Sequence, residues 1–94
     1  MQTSLYSDRT TLFLQMLRDA RLTAGKTQTQ LALALHVDQT VISKSERGVR
    51  RLDVVELHAW LSALGVPLLD FVAALDDGLS AIAIRNAGGR SRQR

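Results

Sequence analysis

Apolar residues recur at three- and four-residue steps along most of the chain, which is the spacing of amphipathic α-helices. The first such stretch predicts a helix over residues 8–24, with Ser7 as its N-terminal cap. Thr27 and Gln30 have the spacing of a capping box, in which the hydroxyl accepts from a backbone N–H and the amide side chain reaches back. A second helix is therefore predicted to begin at Gln28.

The same reasoning predicts two more helix starts. Asp38 is placed to cap a third helix over residues 39–47, which Gly48 would end. Asp53 and Glu56 form a second capping box and mark the start of a fourth helix. No stretch of the chain has the strict alternation of a half-buried strand, so an all-α fold with five helices is expected.

The fifth helix and the region after it are less regular. Pro67 is suited to a first helical turn and opens a predicted helix over residues 67–75. Asp77 and Gly78 indicate a turn, and the apolar residues 79–85 fit a strand exchanged between subunits, an extra helix or loosely ordered chain. Residues 86–94 are expected to form a flexible basic tail.

The segment from Thr27 to Gly48 carries the strongest functional signal. It contains two short helical patterns separated only by His36 and Val37, which is typical of a helix-turn-helix. In such a motif the first helix crosses the phosphate backbone and the second enters the major groove. The outward positions of the second helix are Gln39, Thr40, Ser43 and Lys44.

Length and composition agree with a single small domain. The chain has 94 residues, of which 46% are hydrophobic and 22% charged, enough for one modest core. We expect a domain over residues 1–76 and a C-terminal extension over residues 77–94. With no cysteine, no secretory pattern and no apolar run near the roughly 18 residues of a membrane span, a cytoplasmic protein that does not enter membranes is expected.

The charge is concentrated locally. The formal net charge is +3, and residues 1–75 are almost balanced, with eight Lys or Arg against seven Asp or Glu. Four cations, however, lie within eight residues around the end of the third helix, opposed there only by Glu46: Lys44, Arg47, Arg50 and Arg51. A local basic patch of this kind suits a phosphate backbone better than a membrane surface.

These features together resemble a known family. Residues from about Arg18 to Leu75, and above all the run VISKSERGVRRLDVVEL, are similar to the Cro and phage-repressor type of helix-turn-helix protein, the XRE family. The resemblance implies a lambda-repressor-like five-helix DNA-binding domain in a bacterial or phage-encoded protein. It also implies an ion pair between Arg21, late in the first helix, and Glu46 of the third.

The resemblance assigns roles to individual residues. It implies that the following side chains contact bases: Gln39, Thr40, Ser43 and Lys44. It implies phosphate contacts at the start of the second helix and near the end of the third, by Gln28 and Arg47, and the charge beyond that helix adds Arg50 and Arg51. The residue chemistry agrees, because Gln pairs with adenine, Lys donates to guanine and Thr touches a thymine methyl.

Two positions depart from the family pattern. His36 stands at a turn position usually held by Gly, and a histidine enters the left-handed backbone region less readily. Ser45 stands where an apolar or aromatic side chain usually anchors the third helix. We expect these two residues to affect how the third helix is seated.

Other functions fit the sequence less well. The serines lack suitably spaced His and Asp partners, and there is no glycine-rich phosphate loop, so an enzyme is not expected. The two histidines have no ligand cluster around them, so neither a metal nor a cofactor is expected. The alternative is an antitoxin whose C-terminal extension binds a partner protein, a toxin, and which also represses its own operon.

The sequence therefore predicts a transcriptional regulator that binds double-stranded DNA sequence-specifically. One domain of this size reads only about four to six base pairs, so a homodimer on an inverted-repeat operator is expected. Repression is favoured over activation.

Overall fold

The computed structural model describes residues 7–91, and the side chains of residues 7–84. This part of the chain contains five helices and no strand, as the sequence predicts. The helices are α1 (Asp8–Thr23), α2 (Gln28–Leu35), α3 (Gln39–Glu46), α4 (Val54–Ala63) and α5 (Leu68–Ser91).

Local hydrogen bonds define most helix starts. Both predicted capping boxes are present, with Thr27 and Gln30 at α2 and Asp53 and Glu56 at α4. Ser7 accepts from a backbone N–H of the first turn of α1. Asp38 is different, because its backbone is in the N-cap conformation but its side chain makes no capping hydrogen bond. The side-chain cap expected there is absent.

A tight left-handed turn joins α2 to α3. His36 has φ 58° and ψ 42°, and is the one described non-glycine residue with positive φ. The turn is closed by the backbone N–H of Val37, which donates to the carbonyl oxygen of Ala32 at 3.0 Å. The conformation usually taken by glycine is therefore kept, at a cost of about 1 kcal/mol for the side chain.

One hydrophobic core supports this turn. Trp60 and Leu61 of α4 lie at its centre, and α3 contributes Ile42, which is fully buried. Phe71 of α5 packs edge to face on Phe13 of α1, with ring centroids 6.1 Å apart. The other buried members are Leu17, Leu31, Ala32, Leu57 and Leu64. Since each buried large side chain stabilises by about 1.5–3 kcal/mol, this packing contributes much of the stability that keeps α3 in place.

The last helix corrects the sequence prediction. α5 continues to Ser91, so no turn forms at Asp77 and Gly78, and residues 79–85 lie within this one helix. Residues 86–91, expected to be a flexible tail, are helical as well, and residues 92–94 lie outside the described part. The reason is tertiary packing, which overrides the local turn preference of Asp-Gly.

Gly78 shows how that packing works. A Cβ built on Gly78 would lie 2.6 Å from Cδ2 of Leu12, so the missing side chain lets α5 approach α1 closely. One turn further on, Ile82 is buried. The apolar contact with α1 therefore extends the helix through a glycine that would otherwise weaken it by about 1 kcal/mol.

Among the described residues, no single helix is long and apolar enough to cross a membrane. α4 and the part of α5 up to Ile84 meet the length and composition requirement only as a pair, bent by 115°.

Candidate nucleic-acid interface

The exposed face of α3 carries the residues predicted to contact bases. Gln39, Thr40 and Lys44 are exposed, and Ser43 is half-buried. Because residues three and four apart share one side of a helix, these four side chains lie together. The opposite side of α3 is buried through Ile42, Ser45 and Glu46. The helix is thus anchored along one face and open along the other.

A buried ion pair anchors that inner face. Arg21 donates from Nε to Oε2 of Glu46 at 2.6 Å and from Nη2 to Oε1 at 3.0 Å, and the two side chains are only 10% and 1% exposed. Nη1 of Arg21 also donates to the carbonyl oxygen of Lys26 at 2.9 Å. The pair expected from the family resemblance therefore joins α1, α3 and the turn before α2 in the structure.

The ion pair extends to the surface through two glutamines. Nε2 of Gln28 donates to Oε1 of Glu46 at 3.0 Å, and Nε2 of Gln39 donates to Oε1 of Gln28 at 2.5 Å. The result is a chain of polar contacts that we call the glutamine relay: Arg21, Glu46, Gln28 and Gln39. Sequence reasoning assigned Gln28 and Gln39 to separate roles and missed their contact, because residues from different helices give no spacing signal.

The three predicted phosphate-binding arginines have different surroundings. Arg47 and Arg51 are exposed, whereas Arg50 is half-buried. Nη2 of Arg50 donates to Oε2 of Glu56 at 2.5 Å, and its Nη1 donates to the carbonyl oxygen of Arg51 at 3.4 Å. The charge of Arg50 is therefore partly compensated inside the protein.

Glu56 has two functions that the sequence revealed only in part. Its side chain accepts from the backbone N–H of Asp53, completing the capping box of α4, and it also pairs with Arg50. The hydrogen bond from Arg50, followed by that from Asp53, holds the pKa of the Glu56 carboxyl below its ordinary value. The connection between α3 and α4 is stiffened by these contacts.

The arrangement suits a polyanion that presents hydrogen-bond donors and acceptors beside its negative charges. Glu46 is paired with Arg21 and Glu56 with Arg50, so among the cations around the end of α3 only Arg50 is compensated by one of these two carboxylates. The uncharged amide and hydroxyl groups lie on the open face of α3, beside these cations. DNA presents this combination, with phosphates next to a groove lined by donors and acceptors.

Comparison with known proteins agrees with this geometry. The family model described as "Helix-turn-helix" matches residues 17–71, more than half of the chain. No curated protein matches. A solved structure of a mutant of the restriction-modification controller protein C.Esp1396I is 29% identical, with a TM-score of 0.67, over 84% of this chain and 95% of that one. The chain belongs to the XRE-type helix-turn-helix family of DNA-binding transcriptional regulators.

Proposed function

We propose that this protein is a repressor that binds an inverted-repeat operator as a homodimer. The observation that carries the proposal is α3, whose inner face is held by the core and the buried ion pair while its outer face presents four polar side chains. A rigid helix with a polar outer face is what direct reading of a major groove requires. Proteins of this family are generally not enzymes.

Gln39 is proposed as the residue that reads an adenine. It donates one Nε2 hydrogen to Gln28, which leaves its other Nε2 hydrogen and its Oε1 for the base. One donor and one acceptor are what the major-groove edge of adenine matches. Lys44 is proposed to donate to guanine, Thr40 to touch a thymine methyl group, and Ser43 to allow close approach.

Phosphate binding is proposed for four residues around this face. Arg47 and Arg51 are exposed and supply charge beyond the end of α3, and Arg50 contributes the donors that Glu56 does not use. Gln28, at the first position of α2, adds an uncharged contact beside the helix N-terminus. These contacts position the protein and make its affinity depend on salt.

The outer face of α5 supports the homodimer. Leu69 is 82% exposed and Val72 is 40% exposed, one turn apart on the side of α5 away from Phe71. Ile84, further along the same helix, is 71% exposed. Exposed apolar side chains on the outer side of a helix favour contact with a second copy about a two-fold axis. The two recognition helices would then enter successive major grooves about 34 Å apart.

The similarity to a controller protein favours a transcriptional regulator of that kind. That neighbour is matched over 95% of its length, and its name describes control of a restriction-modification system. We propose a comparable regulatory role here, in preference to the antitoxin alternative, for which a toxin partner would be needed.

Selection of bound fragments from a random-sequence DNA pool tests the proposal. We expect an enriched inverted repeat with half-site centres about ten base pairs apart. Gln39→Ala is expected to lose about 1–3 kcal/mol on the selected site and to relax one base of each half-site. Ser62→Ala, which removes an exposed uncharged polar side chain from α4, is the matched control. A pool without a symmetric motif would contradict the proposal.

A further inference from the structure

A cleft of about 480 Å³ borders Ser45 on the inner face of α3 and the arginines beyond the end of that helix. It opens between the first half of α1, the connection from α3 to α4, and the middle of α5. Its apolar side chains come from all three regions: Phe13, Leu14, Leu52, Leu75 and Leu79. A recess of this size accommodates a small organic molecule.

The charged side chains that line the cleft are all basic. Arg9 from α1 and Arg50 and Arg51 from the α3–α4 connection line it, and no Asp or Glu is among its described lining residues. Arg50 is paired with Glu56, whereas the guanidinium groups of Arg9 and Arg51 belong to exposed residues. The cleft therefore favours a ligand that carries negative charge on an apolar body.

Ser45 provides a second and independent sign of a ligand. It is 1% exposed and lines this cleft, and its Oγ has no hydrogen-bond partner among the described residues. Leaving a buried hydroxyl without a partner is costly, and most such groups pair with the protein or with ordered water. A polar group held in the cleft would supply the partner that Ser45 lacks. An apolar residue here would have filled the space at no such cost.

We propose that this cleft binds a small organic anion, with a carboxylate near the arginines and a short apolar chain between α1 and α5. The ligand's apolar chain would cover Phe13 and Leu75, and its polar end would lie toward Arg51 and the Ser45 hydroxyl. This assignment goes beyond DNA binding: Arg50 and Arg51 would serve both ligands, but a phosphate backbone would not use the apolar floor or the buried hydroxyl.

The test is a titration of the full-length, ¹⁵N-labelled protein, followed by backbone amide chemical shifts, with hexanoate as the probe. Two matched probes accompany it. Hexan-1-ol has the same chain without the charge, and inorganic phosphate has charge without the chain. We expect hexanoate to cause saturable shifts confined to residues 9–14, 45–52 and 75–79, in the millimolar range expected of so small a ligand.

Two variants identify the site. Arg51→Gln is expected to weaken hexanoate about ten-fold, the usual loss for a charge-assisted hydrogen bond, while the exposed Arg18→Gln leaves binding unchanged. Ser45→Leu is expected to remove the hydroxyl, to occupy part of the cleft with an apolar side chain and to weaken the hexanoate-induced shifts, with the spectrum reporting that the fold is intact.

Four results would overturn the assignment. They are the absence of saturable shifts with hexanoate, equal binding of hexan-1-ol, equal binding of phosphate, and unchanged binding by the Arg51→Gln variant. Equal binding of phosphate would mean that the arginines recognise charge alone, as in contact with a DNA backbone.

Discussion

The inner face of α3 and the inner face of α5 are held by different kinds of contact. Besides its apolar packing, α3 is held by directional hydrogen bonds that Arg21 and Gln28 donate to the carboxylate of Glu46, at 2.6–3.0 Å. α5 is held against α1 by apolar packing of complementary shape, through Phe71, Ile82 and the close approach at Gly78. The first arrangement fails when one charged partner is lost, whereas the second fails when volume changes. The helix proposed to read bases is thus the one whose orientation is set by hydrogen-bond geometry.

Removing the centre of the glutamine relay should have the largest effect. Glu46→Ala leaves the buried charge of Arg21 without its carboxylate partner, and we expect a loss of about 3–5 kcal/mol in the free energy of unfolding, measured by urea titration. Arg21→Ala should cost a similar amount, and the double variant less than the sum of the two. Additive losses would mean that the two side chains do not interact.

Overfilling the contact between α1 and α5 should come second. Gly78→Leu is expected to cost about 1–3 kcal/mol, because its side chain would overlap Leu12. Gly78→Ala is the matched control. Its Cβ meets only the end of a flexible side chain, and the gain in helix propensity of about 1 kcal/mol offsets much of the strain. Equal losses for both variants would show that α5 tolerates no side chain at this position.

A substitution of Ser45 tests whether every buried polar group on α3 contributes to stability. Its hydroxyl has no partner, so Ser45→Ala should change the free energy of unfolding by no more than about 1 kcal/mol, and in the stabilising direction. A large loss in urea titration would reveal a hydrogen bond made in solution, and would place Ser45 with Glu46 among the groups that fix α3.

The half-buried pair of Arg50 and Glu56 should have the smallest effect on stability, and we expect it to appear only as a change in the pH dependence of stability. The folded state lowers the pKa of Glu56 from its ordinary value of 4.5, so the stabilisation is present above that value and is lost as the pH falls through the lower folded value. Arg50→Gln should therefore lose less stability than the wild type on acidification through this window. Parallel pH profiles for the two proteins would contradict this.

These contacts also explain what the sequence could and could not predict. The starts of α2 and α4 were predicted because each capping box lies within four consecutive residues. The end of α5 was not, since the turn signal of Asp77 and Gly78 is local while the contact with Leu12 that overrides it comes from another helix. The family resemblance suggested the partner of Glu46.

The glutamine relay and the Arg50 contact with Glu56 had no comparable signal. Gln28 and Gln39 belong to different helices, and in the sequence each has the context of an ordinary glutamine at a helix surface. Nothing in the sequence around the capping residue Glu56 indicates that its carboxylate also pairs with Arg50. Side-chain pairs between elements depend on the packing angle of those elements, which hydrophobic spacing alone does not give.

The contact between Gln39 and Gln28 has a consequence for how relatives of this protein would diverge. A new side chain at position 39 loses its support from position 28, and Gln28 in turn is held by Glu46. Substitutions that shift base preference would therefore be epistatic with position 28. In an alignment of descendants with different operators, positions 28 and 39 should change together, while Arg21 and Glu46 stay fixed.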